Sequence, residues 1–181
     1  MEELNVDIHN EVYLTPWNKE GAKIFHMEKQ CIIGSMIAED HYGGVYHVGS
    51  TSIEGMVAKP IIDILVCPDA DVPLEDVVPD LERIGYRNLG DGGRTGRYFL
   101  SSGDKPNETF YVHLCHEGHP VAQDQLLFQK IERENPQVRS QYIRTKLLLA
   151  DTFPDNREMY RELKGLYIEG VLSAYRQAAM D

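Results

Sequence analysis

The sequence predicts a mixed α/β (α+β) fold: a mixed β-sheet with flanking helices, followed by a C-terminal helical half. Three observations carry this prediction. Ile61-Ile62-Asp63-Ile64-Leu65-Val66 is a short β-branched run of the kind that forms a strand buried on both faces. Apolar residues recur at three- and four-residue spacing in the segment before it. After Pro120 the pattern is helical throughout, punctuated by prolines. At 181 residues the chain can form one well-packed domain or a small core with a helical appendage. The expected division is an α/β core over residues 1–118 and a helical part over 119–181, which a single domain could equally contain.

From Pro16 to Ala38, the residues Trp17, Ile24, Met27, Cys31, Gly34 and Ala38 form the stripe of an amphipathic helix. Thr15 is the expected N-cap and Pro16 the first helical residue. Gly43-Gly44 is read as a turn into a strand over Val45–Val48. Pro68 ends the Asp63 strand, and Leu74–Ile84 is a short helix weakened by Pro79. A turn rich in glycine (Gly90, Gly92, Gly93, Gly96) leads into a strand from Arg97 to Leu100. Asp104-Lys105-Pro106-Asn107 turns the chain into a strand over Phe110–Cys115. Helices follow over Ala122–Glu134, Pro136–Ala150 and Asp155–Ala178, broken at Asn135-Pro136 and Phe153-Pro154. In the last helix Tyr160, Leu163, Tyr167, Val171 and Ala174 share a face.

Composition narrows the function. No apolar run approaches the roughly 20 residues of a membrane span. The acidic N-terminus lacks the features of a signal peptide, so a cytoplasmic protein is expected. Cys31, Cys67 and Cys115 have neither C-x-x-C nor zinc-finger spacing. The net charge of −11 disfavours a long nucleic acid, which is held by many phosphate contacts to Lys and Arg. A small-molecule partner is favoured.

The segment from His47 to Ile64 carries the chemistry. A strand runs into Gly49-Ser50, where a missing side chain lets backbone N–H groups approach a phosphate. Ser50, Thr51 and Ser52 add hydroxyls, and Asp63 lies within a hydrophobic strand. A carboxylate there needs a partner or a cation, so it is either structural or metal-binding. Gly49 and Gly55 are one position too far apart for a Walker loop, and Thr95 fills the last glycine position of G-x-G-x-x-G.

These residues resemble the signature of the GrpB family, which belongs to the nucleotidyltransferase superfamily. The resemblance extends through Trp17, the turn at Gly90, Gly93, Gly96 and Arg97, then His113 and Phe128. Two Tyr–Lys pairs, Tyr142/Lys146 and Tyr160/Lys164, complete it. It implies a nucleotidyltransferase-like fold and chemistry on a nucleotide. Against the superfamily pattern, Leu65 stands where a second carboxylate is usual, and His113 is the nearest counterpart of a third. Glu54 replaces a frequent Pro, Tyr111 a His, and Gln129-Lys130 an Arg-Asp pair. Glu54 and Asp91 are the positions from which a missing carboxylate could come.

His113 could orient Asp63, bind phosphate, take a proton or be a core histidine. His113 and His116, three apart on a strand, face opposite sides and do not converge on a metal. Lys59 either meets a phosphate as a point charge or is a solvated surface lysine, and Arg97 is either a phosphate clamp or the salt-bridge partner of a carboxylate. Lys146 and Lys164 each share a helix face with a Tyr and either meet a phosphate or snorkel outward.

The leading expectation is transfer of a nucleoside monophosphate from an NTP to a small acceptor. Gly49, Ser50, Ser52, Lys59, Arg97, Lys146 and Lys164 would bind the nucleotide, with Asp63 and His113 catalytic and Mg²⁺ on Asp63. The alternatives are a catalytically silent nucleotide-binding or regulatory module of the same fold, and a purely structural interaction domain.

Overall fold

A computed structural model describes residues 11–35, 42–103 and 109–180. Its strands are β1 (Thr15–Pro16), β2 (Tyr42–Val48), β3 (Val57–Ala58), β4 (Ile62–Pro68), β5 (Tyr86–Asn88), β6 (Tyr98–Ser102) and β7 (Phe110–Leu114). Its helices are α1 (Glu20–Ser35), α2 (Leu74–Arg83), α3 (Pro120–Glu134), α4 (Pro136–Thr152) and α5 (Arg157–Ala178). A single 3₁₀ turn spans Ser50–Ser52.

Five strands form a sheet in the order β2-β4-β7-β6-β5. The central pair, β4 and β7, is parallel, and its neighbours are antiparallel. The expected two-sided burial of the Asp63 strand follows from this position. Ile62, Ile64 and Val66 join Leu100, Val112 and Leu114 under α1 and α2. On the other face Leu65 and Cys67 pack with Val48, Cys115, Val121 and Ala122. Side chains alternate along a strand, so Asp63 shares the second face, beside Tyr111 and close to His113. The α/β segment and the helical segment share a further core cluster: Ile53 and Met56 pack with Phe128, Ile131, Tyr142 and Leu172.

Several boundaries differ from the sequence reading. Thr15 and Pro16 are not a helix start. They pair with Val57 and Ala58 as a two-stranded ribbon, and Thr15 Oγ1 donates to Ala58 O. The first helix begins at Glu20, where Asn18 Oδ1 accepts the Glu20 N–H. Its inward face also differs: Ile24, Met27 and Cys31 are exposed, whereas Ile32 is buried and Phe25 packs beside it. Two polar residues on that inward face disguise it. Glu28 accepts from Tyr86 OH at 2.8 Å, and Lys29 Nζ donates to Val45 O at 3.0 Å.

Gly43 and Gly44 lie inside β2 at a register shift, not in a turn before it. A Cβ on Gly43 would sit 2.7 Å from Cys67 O, so the absent side chain permits strand contact there. The strand after the glycine turn runs from Tyr98 to Ser102, with Arg97 just before it. Cys115 follows the last strand. Pro79 sits inside α2 without breaking it, since it forfeits one intrahelical bond near the first turns. At the end of α5, Ala174 is exposed and Leu172 is the buried residue. Ala38 and the turn at 104–107 lie outside the described residues.

The helix starts in the C-terminal half are built by side chains. Asn135 Oδ1 accepts from Gln137 and Val138 N–H, Asn156 Oδ1 accepts from Met159 N–H, and His119 Nδ1 accepts from Val121 N–H. His119 is therefore a cap, with Pro120 at the first helical position. No helix among the described residues is long and apolar enough to cross a membrane.

The second-face cluster yields a prediction. Leu65 is fully buried, so Leu65→Ala leaves a cavity and lowers stability by about 2–5 kcal/mol in a urea titration.

Candidate functional site

The site begins at the β2 end, where Gly49 has φ 69° and ψ −174°. A Cβ at this position would stand 2.6 Å from Asp63 Oδ2. Glycine is required twice over: for the positive φ and for the carboxylate that lies against the loop. The Gly49-Ser50 element and Asp63, separated in sequence, are thus one structural unit.

The loop hydroxyls are largely engaged inside the protein. Ser52 Oγ donates to Gly49 O at 2.6 Å and accepts from Gln129 Nε2 at 2.5 Å. Gln129 Nε2 also donates to His47 O, which fastens α3 to the loop. Thr51 Oγ1 meets His47 Nε2 at 3.0 Å, and Trp17 Nε1 donates to Thr51 O. Ser50 Oγ accepts from Lys146 Nζ at 2.9 Å. The loop is a braced element rather than an open cradle.

Lys146 is 1% exposed, and its donors are spent. Besides Ser50 it donates to Val57 O, lies 3.8 Å from Met56 Sδ and sits 4.4 Å from the Tyr142 ring centroid. Burial pulls its ammonium down to about 7, against the opposing pull of Glu132. Glu132 is equally buried, and its Oε1 has no hydrogen-bond partner among the described residues. Burial pushes this carboxyl up to about 8, although Lys146 draws it the other way.

His113 links Asp63 to Arg97. Arg97 Nη1 stands 2.7 Å from His113 Nδ1, and His113 Nε2 stands 3.5 Å from Asp63 Oδ1. A guanidinium can only donate, so Nδ1 is the acceptor and Nε2 carries hydrogen toward the carboxylate. This geometry suits a group that orients Asp63 and leaves neither ring nitrogen open to take a substrate proton. Arg97 also donates to Asp91 O and lies over the Phe99 ring.

Lys59 and Lys164 are different. Both are half-buried, with Nζ 5.5 and 5.9 Å from the Tyr160 ring centroid. Among the described residues neither ammonium has a hydrogen-bond acceptor or an ion-paired carboxylate. Arg157 and Arg161 lie near both; Asp63 favours the charged form of each, and Glu132 adds to this for Lys164. Burial, followed by Arg157 and Lys164, draws Lys59 down to about 7. Burial likewise lowers Lys164. Arg157 donates to Tyr111 OH at 2.6 Å, tying α5 to β7.

The fold therefore brings together Gly49, Ser50, Asp63, His113, Lys59 and Lys164. It gives Ser52 and Lys146 bracing contacts and attaches Arg97 to His113. The sequence reading missed Glu132, Arg157 and Arg161. Their signals were present: Glu132 follows Phe128 by four residues on an apolar face, and Arg157, Arg161 and Lys164 recur at helical spacing.

The donor set does not fit the metal pair that the fold implies. Asp63 offers one carboxylate, Leu65 at the second position is buried among apolar side chains, and His113 presents an N–H. Glu54 and Asp91 are exposed, and Asp91 Oδ1 accepts the Gly93 N–H in its own turn. Among the described residues no group of three or more His, Cys, Asp or Glu side chains could hold a metal ion.

Comparison with known proteins agrees with this architecture. The family model described as GrpB protein matches residues 11–174. The chain belongs to the GrpB family. UPF0157 protein YqkA of Bacillus subtilis (strain 168) is 31% identical over 154 residues, 84% of this chain and 44% of that protein. UPF0157 protein PA4798 of Pseudomonas aeruginosa is 36% identical over 134 residues, 71% of this chain and 54% of its own length. The chain thus spans about half the length of these two curated relatives. The crystal structure of conserved protein GrpB from Enterococcus faecalis superposes with a TM-score of 0.72 at 28% identity, covering 88% of this chain and 99% of that one. The Cid1 poly(U) polymerase structure, at 12% identity, gives a TM-score of 0.51 over 75% of this chain and 44% of its own. The fold of this GrpB-family chain is nucleotidyltransferase-like.

Two predictions follow from the braced loop. Lys146→Met removes the donors to Ser50 and Val57 and lowers stability by about 1–3 kcal/mol in denaturant titration. Glu132 holds a proton in the folded state between about pH 4.5 and 8 that the unfolded chain releases. Its contribution to stability therefore falls as pH rises through that window. Glu132→Gln removes this term, so the melting temperature of the variant relative to wild type rises from pH 5 to pH 8. Taking the difference cancels the opposite trend from His47, whose imidazole burial lowers to about 4.

Proposed function

We propose that this GrpB-family protein binds a phosphate-bearing small molecule of the nucleotide class at the cationic cluster where β4, β7 and α5 meet. The observation that carries the reading is the pair Lys59 and Lys164. Both ammonium groups point at Tyr160 with no acceptor among the described residues, in a chain of net charge −11. Clustered cations partly withdrawn from water repel one another, and a bound anion offsets that cost. Arg157 and Arg161 extend the cluster. The nucleotidyltransferase-like fold supports a nucleotide as the class of ligand.

Transfer of a nucleoside monophosphate to an acceptor has weaker support. That chemistry relies on carboxylates that bridge two metal ions, and Leu65 is packed where one of them would stand. Nor does His113 offer an open nitrogen for a general base. The arrangement favours binding without metal, with Asp63, packed against Gly49 and oriented by His113, as the negative edge of the site.

A thermal-shift panel of the four NTPs and inorganic tripolyphosphate, run in EDTA, tests the reading. The melting temperature rises with ligand by mass action, and Lys164→Met weakens the affinity by about tenfold or more, the scale of one lost charged hydrogen bond. A bound phosphate favours the charged form of Lys59, so affinity falls as pH rises from about 7 to 9, and Lys59→Met flattens that slope. If no nucleotide or polyphosphate shifts the melting temperature, the reading is wrong. A shift that requires Mg²⁺ and vanishes in Asp63→Ala would return the transfer enzyme to first place.

A further inference from the structure

Cys67 and Cys115 lie on the second face of the sheet, away from the exposed Cys31. Cys67 is one residue beyond Val66 on β4, and Cys115 one beyond Leu114 on β7. Val66 and Leu114 are partners in the parallel register, and Cys115 N–H donates to Val66 O at 3.1 Å. The cysteines are therefore lateral neighbours. Adjacent strands run about 4.7–4.9 Å apart, inside the roughly 4.4–6.8 Å Cα separation that a disulfide spans. Both lie in a cluster whose other members, Val48, Leu65, Val121 and Ala122, are apolar.

The pair is asymmetric. Cys115 is stabilised as thiolate first by Cys67, then by the Ala122 N–H in the first turn of α3 and by Arg97, and these outweigh its burial. Cys67 is pushed the other way, by Cys115 and by burial, with Glu117 adding to the effect. Both are buried, and Glu117 and Gly118, two and three residues beyond Cys115, are exposed.

We propose that Cys67 and Cys115 form a reversible dithiol–disulfide pair oxidised by a hydroperoxide. The Cys115 thiolate attacks the peroxide O–O bond and becomes a sulfenic acid, and the departing oxygen takes a proton and leaves as alcohol or water. The Cys67 sulfur then attacks the Cys115 sulfur, the S–S bond forms, the S–O bond breaks, and the hydroxyl leaves as water with the Cys67 proton. The two thiols lose two electrons and the peroxide gains them. The link staples β4, which carries Asp63, to β7, which carries His113, on the face those residues share.

The test is peptide mapping of the native chain after brief hydrogen peroxide treatment, with free thiols blocked by iodoacetamide before denaturation. The expected result is a Cys67–Cys115 linked peptide with loss of those two thiols, restored by dithiothreitol. The same link forms in Cys31→Ser and is absent in Cys115→Ser. Oxidation confined to Cys31, as an acid or as a link between two chains, with Cys67 and Cys115 recovered as thiols, overturns the proposal. The mapping needs no variant to fold and is independent of phosphate binding.

Discussion

The buried ammonium of Lys146 is the contact on which the site's geometry depends. An ammonium taken out of water costs several kcal/mol unless its donors find partners, and here Ser50, Val57 and the Tyr142 ring provide them. Through one side chain α4 grips both the Gly49–Ser52 loop and the ribbon strand β3. Gln129 makes the parallel grip from α3. The helical segment therefore fixes the loop, the loop fixes Gly49, and Gly49 leaves room for the Asp63 carboxylate. Glu132, whose buried Oε1 has no hydrogen-bond partner among the described residues, is the least satisfied member of this arrangement.

This brace separates the cations by role. Lys146 is consumed by the fold, and Arg97 is consumed by His113 and the glycine turn. Lys59 and Lys164 retain their hydrogen-bonding capacity against Tyr160, and the arginines of α5 stand beside them. Two lysines in matching Tyr–Lys pairs thus have opposite fates, because one reaches a backbone carbonyl and a hydroxyl while the other, among the described residues, reaches a ring. The negative side is sparse by comparison. Asp63 stands alone on its strand face because the residue two further along packs against α3, so positive charge dominates the cluster.

Much of this was legible in the sequence. The β-branched run around Asp63 could be buried on both faces only in a sheet centre, and the Asn-Pro and Phe-Pro breaks marked the helices closely. Leu65 at the second position already marked a departure from the paired-carboxylate pattern. Other features were hidden by long-range pairing. Thr15-Pro16 reads as a helix start, yet pairing with a two-residue strand some forty residues away decides otherwise. The inward face of α1 includes Glu28 and Lys29, whose partners Tyr86 and Val45 no periodicity can show. The different fates of Lys146 and Lys164 likewise depend on what lies opposite each helix, which spacing alone does not contain.

The most direct measurement is a calorimetric titration of the wild-type protein with inorganic tripolyphosphate in EDTA near pH 6.5, repeated on the folded double variant Lys59→Met/Lys164→Met. Saturable, salt-sensitive binding to wild type that is lost in the double variant is the result this account predicts. No binding to wild type, or equal binding to both proteins, would contradict it.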